Sequence, residues 1–510
     1  MSTNTGALII LIIYFIGLFV LAAIANNMQK KRAAQLHTEG AEGYLMASRS
    51  MGIGTIMTTI MGVAIGANAT TGAAQGGYSY GLAAGTHPFW LGLGVVITGI
   101  FFVNKYRNTG MATIPGLFVD AYGGNTGVVN AIGQIFMQFV IMVSQFIAGG
   151  SILHTLLPQY FTTTMGMIVS AIIFLLIAIF GGWMSCGVTN ILNMIVCYLA
   201  VALALVAVFT NPDVGGLVGI REALGDKAST YFSPIAGIGW GVWFAYPVMM
   251  ITNVATGQSQ VQCITTAKDA KTAKISFIVG GLLVAPIGYC CALIGMAAYK
   301  LNPSLQSTAD AMPSVLLTLP TVAAGIAVAG MWACYVSTAT NLSIASATVA
   351  VKDIIKPLRA KSGKDLTPKQ ESTLGAVIII AFTAVACFCS FFVKSLLNFA
   401  RAGLGICIPF FFIMMITLFF PKLARKRTAV AITIPSYIVM ILVTISPKIK
   451  AFFFGDAIWA LTIVGLIAAV LVTIIDKEPA FFQTKEFYKI KPSLYLPGTP
   501  DYEKDPFREK

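Results

Sequence analysis

From Ala7 to Ile475 the chain passes through one apolar run of membrane length after another, joined by polar loops. A helix of about 20 residues is what it takes to cross the hydrocarbon core of a bilayer. Windows of that length mark thirteen candidate spans at 7–27, 52–80, 86–104, 127–155, 161–180, 187–210, 234–262, 274–298, 320–350, 373–393, 395–420, 428–447 and 454–475. This predicts an all-α polytopic membrane protein with a single transmembrane domain, residues 1–475, followed by a polar tail, residues 476–510. Composition excludes a soluble domain, because charged residues make up 10% of the chain against about 25% in soluble proteins. The first run has no basic residue before it and Lys30, Lys31 and Arg32 after it. That polarity is the reverse of a cleaved signal peptide, so the run reads as a true first span.

Charge placement tests the count. With the N-terminus outside and the spans alternating, the inside segments collect 26 of the 33 Lys and Arg residues and the outside segments six. Such a bias is the ordinary signature of cytoplasmic loops. It predicts a multi-pass protein of the cytoplasmic membrane, with the lipid bilayer as its surroundings and its C-terminus in the cytoplasm. The net charge of +14 is thereby spread over several loops, which excludes a nucleic-acid-binding face. The nine cysteines contain no C-x-x-C pair and the three histidines form no cluster, so neither a metal centre nor a redox motif is expected. All 19 acidic residues fall in loops or the tail, and Arg401 is the one clear charge inside a span.

Against this background "GVAIGANATTGAAQGGYSYG" (62–81) stands out, with six glycines in a membrane-length segment. Irregular backbone at that depth is tolerated only where protein or a wet cavity surrounds it. A small-residue packing face is one reading. A discontinuous helix that offers freed carbonyls to an ion is the other.

Neighbouring motifs bear on the choice. "EGYLMASRS" (42–50) resembles the E-x-Y-x-x-A-G-R-S signature of the sodium/solute symporter family, with Ser48 where the family has glycine. "ATIPGLFVDAYG" (112–123), "SQFIAGGSIL" (144–153), "GGWMSCGVTNILN" (181–193), "VQCITTAKDAKTAK" (261–274) and "ACYVSTATNLSIASATVAVKDI" (333–354) follow in the family's order. The resemblance implies a leucine-transporter-type core of ten helices in two inverted five-helix repeats, here 52–210 and 234–420, with one helix before and two after. It implies a sodium-coupled symporter that imports a small organic solute by alternating access. No enzymatic chemistry and no cofactor beyond sodium as coupling ion are implied.

Residues follow from this. Ser337 and Thr338 lie mid-span, and helical Ser and Thr hydroxyls lie near the carbonyls of residues i−3 and i−4, which places both beside Cys334. The resemblance adds the backbone oxygens of Gly62 and Ile65, completing a sodium set of Gly62, Ile65, Cys334, Ser337 and Thr338. For the solute, Asn68, Thr71, Gln145, Asn253, Gly257 and Gln258 are expected beside the breaks, with Trp240, Trp243 and Tyr246 able to close over it. Arg401, in "NFARAGLG", favours a carboxylate or amino-acid-like solute if its guanidinium faces the cavity. Asn190 stands where several relatives have an acid. The sugar-type pair of the first core helix is replaced by Asn68 and Ala69. Two alternatives stay open: a proton-coupled carrier on the same fold, and a transporter-like sensor acting through a partner protein.

Overall fold

The computed structural model describes residues 3–38, 40–123, 126–156, 158–393 and 403–484. Among these, the regular structure is helical, and the β pairing is limited to isolated bridges between Met51 and Ala267 and between Arg425 and Pro479. In chain order the principal helices are α1 (Thr3–Gln35), α2 (Ile53–Ala64), α3 (Thr71–Tyr80), α4 (Thr86–Phe101), α5 (Ile114–Tyr122), α6 (Thr126–Leu156), α7 (Thr163–Thr210) and α8 (Gly239–Thr256). They continue with α9 (Gln258–Thr266), α10 (Ala270–Val284), α11 (Ile287–Leu301), α12 (Thr321–Val349), α13 (Pro368–Ser390), α14 (Cys407–Phe419), α15 (Thr428–Ile445) and α16 (Ala457–Ile475).

Nine helical stretches among the described residues are long and apolar enough to cross a membrane, and α2 and α14 are shorter apolar helices. The thirteen expected spans therefore do not appear as thirteen unbroken helices, and the reasons are local. The expected span 52–80 divides into α2 and α3 through non-helical backbone that includes Ile65 and Thr70. The span 234–262 divides at Gly257, whose extended backbone ends α8. Conversely, the spans 161–180 and 187–210 run on as the 48-residue α7, which turns sharply at Gly181 and Gly182. Gly182 has a φ of +56°, and a Cβ there would collide with the carbonyl of Tyr44, so only glycine fits.

α12 is buried from Ala327 to Val349 and packs against α1, α2, α6 and α7. Its sequence is rich in Ala, Gly, Ser and Thr, which let neighbouring helices approach closely, with Trp332 and Tyr335 as large buried exceptions. α15 and α16 pair with one another at the margin, and Ile438, Ile441, Leu466 and Ile467 there face outward, as lipid-facing side chains do. The segment before α2 is pinned by Glu42, which pairs with Arg49 at 2.7 Å and Lys352 at 2.8 Å. Within it Ser48 has a φ of +52°, which accounts for the glycine that the family signature carries there. The Thr38 hydroxyl donates to Ser48 Oγ at 2.6 Å and holds the turn.

Candidate functional site

The end of α2 controls the centre of the molecule. Ile65 donates its N–H to the carbonyl of Met61, and the chain then leaves the helix. A helix that stops leaves its last carbonyls without intrahelical partners. Gly62 finds its partners on another helix. Thr338 Oγ1 of α12 donates to the Gly62 carbonyl at 2.7 Å, and Ser337 Oγ donates to it at 3.2 Å and to the Cys334 carbonyl at 2.9 Å. Both hydroxyls are buried. Thr338 thus turns across to α2, whereas Ser337 keeps the Cys334 contact that helical spacing predicts. No hydrogen bond reaches the Ile65 carbonyl among the described residues. Neutral oxygens from two helices meet here, the donor type that hard cations take.

The break itself is held from a third helix. Gln145 Oε1 on α6 accepts the Ala67 N–H at 2.8 Å, while its Nε2 donates to the Ile141 carbonyl at 3.1 Å. Gly66 has to lack a side chain, because a Cβ there would stand 2.6 Å from Thr338 Oγ1 and 2.9 Å from Gln145 Oε1. Asn190 of α7 reaches the same place, since a Cβ on Gly62 would lie 3.0 Å from its Nδ2. That Nδ2 is buried without a hydrogen-bond partner among the described residues. Its Oδ1 accepts from Asn193 at 3.1 Å, and Asn193 in turn accepts from the Tyr14 hydroxyl of α1 at 2.7 Å.

Beside the break lies a small cavity whose wall includes Asn68, His87, Gln145, Asn253, Gln260 and Thr338. Three of the expected solute residues, Asn68, Gln145 and Asn253, are on it. Asn68 Oδ1 is buried and accepts no hydrogen bond among the described residues. Gln260 was not anticipated, and it pairs with Asn253 by an Nε2 to Oδ1 bond of 3.1 Å. His87 was not anticipated either. It sits in the first turn of α4 with its ring edge-on to Tyr246 at 5.7 Å, so Tyr246 stands behind it rather than on the wall.

The other expected residues stand elsewhere. Thr71 Oγ1 is hydrogen-bonded to the Tyr335 hydroxyl within the packed interior. Gly257 forms the break between α8 and α9, and its N–H goes to the Asn253 carbonyl at 2.6 Å. Gln258 turns away from the cavity. Its Oε1 accepts the Ile114 N–H at 3.0 Å and its Nε2 donates to the Ala112 carbonyl at 3.2 Å, tying the break to the start of α5. The Gln258 N–H is itself held by Gln134 Oε1 at 3.1 Å. Trp240 is exposed, and Trp243 packs against Trp90 and Phe244. Arg401 lies outside the described residues.

Comparison with known proteins bears on this arrangement. Residues 44–435 match the profile of the Sodium:solute symporter family. The Sodium/pantothenate symporter of Haemophilus influenzae is 24% identical over 396 residues, covering 76% of this chain and 79% of that protein. The Sodium/glucose cotransporter of Vibrio parahaemolyticus is 21% identical over 397 residues, 70% of either chain. The fold is shared with a Na+-coupled sialic acid symporter solved in a substrate-bound outward-open state, with a TM-score of 0.75 over 93% of this chain and 98% of that one at 15% identity. MhsT in complex with L-phenylalanine is a more distant structural neighbour, with a TM-score of 0.54 over 82% of this chain and 97% of that one at 13% identity.

Proposed function

Because the chain belongs to the sodium:solute symporter family, we propose that it imports a small organic solute across the cytoplasmic membrane, driven by sodium moving inward through the α2 break. The carrying observation is the meeting of Ser337 and Thr338 with the Gly62 carbonyl, backed by Cys334 and followed by the open carbonyl of Ile65. These five residues are the proposed sodium set. Discontinuous helices that aim freed carbonyls at an ion are the recurring device of secondary transporters.

The solute is assigned to the adjacent cavity, with Asn68, Gln145, Asn253, Gln260 and His87 as its polar contacts. A carboxylate-bearing solute fits the electrostatics best. The proposed sodium set contains no negative charge, and an uncompensated cation in a low-dielectric interior is costly. One relative is named for a carboxylate, pantothenate, as is the sialic acid symporter that shares the fold, whereas others are named for glucose and choline. On sequence alone Arg401 is a further contact for such a group. Gly257, Gln258 and Thr71 are proposed to act one step back, by holding the breaks in shape.

A proton-coupled carrier is the second reading, and one observation favours it. His87 is the titratable side chain on the cavity wall among the described residues. Uptake into proteoliposomes decides between them, with a panel of carboxylates, amino acids, betaines and sugars offered under a sodium gradient at fixed pH. Accumulation that follows sodium supports the proposal. Accumulation that ignores sodium and follows an imposed pH gradient, and that is lost in His87→Gln, would transfer the function to proton coupling.

A further inference from the structure

A second concave site shares no wall residue with the cavity beside the break. Between α15 and α16 runs an open groove of about 480 Å³ whose walls include Ala431, Pro435, Ala468 and Val472. From the N-cap of α15 the residues 427, 431 and 435 recur every four positions, so one stripe lines the groove over about 12 Å. Alanine at 431 and 468 leaves the room that larger side chains would fill, and Pro435 sits inside the helix at the far end. The walls are apolar and the mouth is charged.

The mouth is rigid. Lys426 donates its N–H to the Glu478 carbonyl at 3.1 Å, and Arg425 bridges to Pro479, so the start of α15 is stitched to the strand-like exit of α16. Of the two acids there, Glu478 is neutralised by a cation, while Asp476 is held by backbone and keeps one negative charge against the two cations of Arg427 and Lys477. Glu478 pairs with Lys426 at 2.6 Å, and the Asp476 carboxylate accepts the backbone N–H groups of Arg427 at 3.0 Å and Glu478 at 3.1 Å. The guanidinium of Arg427 and the ammonium of Lys477 are exposed and make no hydrogen bond or ion pair among the described residues. Two unpaired cations therefore stand over an apolar trough at the end of the bundle that the charge distribution assigns to the cytoplasm.

We infer that this groove is a binding site for an anionic glycerophospholipid, with its phosphate between Arg427 and Lys477 and one acyl chain along Ala431, Pro435 and Ala468. The chemistry is that of basic pockets between transmembrane helices, which hold anionic headgroups while the hydrocarbon replaces missing side-chain volume. A zwitterionic lipid offers the same chain but cancels its own phosphate charge. The site is independent of the solute and the ion, so it stands whatever is transported.

The full chain, purified in a neutral detergent, is titrated with phosphatidylglycerol and with phosphatidylcholine of the same acyl chains. Lipid retention by native mass spectrometry and the unfolding midpoint are followed. Phosphatidylglycerol is expected to be retained and to raise the midpoint, and phosphatidylcholine is not. Arg427→Gln with Lys477→Gln should weaken phosphatidylglycerol roughly tenfold or more, while Lys448→Gln with Lys450→Gln removes two exposed cations elsewhere and should leave it unchanged. Ala468→Trp keeps the charges and fills the trough, and it should weaken binding by a similar factor. Equal retention of the two lipids, an equal effect of the control pair, or full retention in Ala468→Trp overturns the site. So does a lipid-free protein whose C-terminal tail becomes trypsin-sensitive, or whose mass by light scattering falls, only when Ala468→Trp fills the groove. Those outcomes seat the tail or a second copy in the groove instead.

Discussion

Thr338 Oγ1 lies 2.7 Å from the carbonyl oxygen of Gly62, so one hydroxyl of α12 closes the frayed end of α2. If sodium sits among these oxygens, removing one leaves the ion under-coordinated where water cannot freely replace it. Thr338→Val keeps the shape and loses the oxygen, and it should weaken sodium by about 1–3 kcal/mol, roughly ten- to a hundredfold. Ser337→Ala should behave alike, and Thr338→Ser should stay close to wild type. Asn190→Asp, which puts a carboxylate oxygen in place of the partnerless Nδ2 beside Gly62, should tighten sodium. The sodium concentration giving half-maximal uptake is the readout, and four unchanged values would remove the ion from this place.

Asn253 and Gln260 form one amide pair on the cavity wall, joined at 3.1 Å. Gln260→Ala should raise the solute concentration for half-maximal uptake about tenfold and leave sodium affinity within about twofold, since one hydrogen bond between neutral groups is at stake. Asn253→Ala should do the same, and the double variant should fall short of the product because the two side chains share a bond. Independent effects that multiply would show that the amides do not act on the solute as a pair.

Gln258 has a different task from Gln260. Gln258→Leu strands the Ile114 N–H and the Ala112 carbonyl, at about 1–3 kcal/mol of stability. Because these groups anchor the break to α5, the expected change is in maximal uptake rate and unfolding midpoint, with half-saturation for solute nearly constant. A rise in half-saturation as large as that of Gln260→Ala would return Gln258 to the solute.

Acid should loosen the segment before α2. Burial raises the pKa of Glu42, but Lys352 and Arg49 outweigh it and hold the carboxyl below its ordinary range. A carboxyl lowered on folding gives its full stabilisation above its unfolded pKa and loses it as pH falls through the folded one. The unfolding midpoint should therefore drop between about pH 5 and pH 3, and Glu42→Gln should lower it at neutral pH and flatten that part of the curve. Parallel curves for the two proteins would show that the pair contributes nothing.

Orientation is open to labelling. Single cysteines at Lys30 or Lys364 should react with impermeant maleimide only from the cytoplasmic side, and one at Asp226 only from outside. Labelling of Asp226 from the cytoplasm would invert the alternation on which the inward direction of transport rests.

The helical membrane fold was legible because apolar length and charge placement report on it directly. The break after Ala64 was legible as one of two readings of the glycine run, yet of its six glycines Gly66 alone lies in the break, while Gly72, Gly76 and Gly77 sit inside α3. Side-chain direction was not. Gln258 and Gln260 are two residues apart on α9, which sets them about 200° apart around its axis. Which of them faces the cavity depends on how far the chain rotates at Gly257, a matter of tertiary packing. Thr71 shows the same limit, since it is three positions from Asn68 yet Tyr335 claims it. His87 carried no motif and became visible only when α4 was placed against Tyr246 and the break. Ser48 was seen as a departure from the family signature, and its meaning emerged with the left-handed backbone beneath it.

Thr338 belongs to the proposed ion cage and also to the wall of the solute cavity. Two ligands that share one group cannot have independent affinities, and equilibrium thermodynamics makes the influence mutual: whatever factor the cargo adds to sodium binding, sodium adds to the cargo. Sodium can then serve as the reporter for an unknown passenger. A compound that shifts the sodium titration of the resting protein declares itself a ligand without being radiolabelled or transported, and the size of the shift measures how tightly the two are geared.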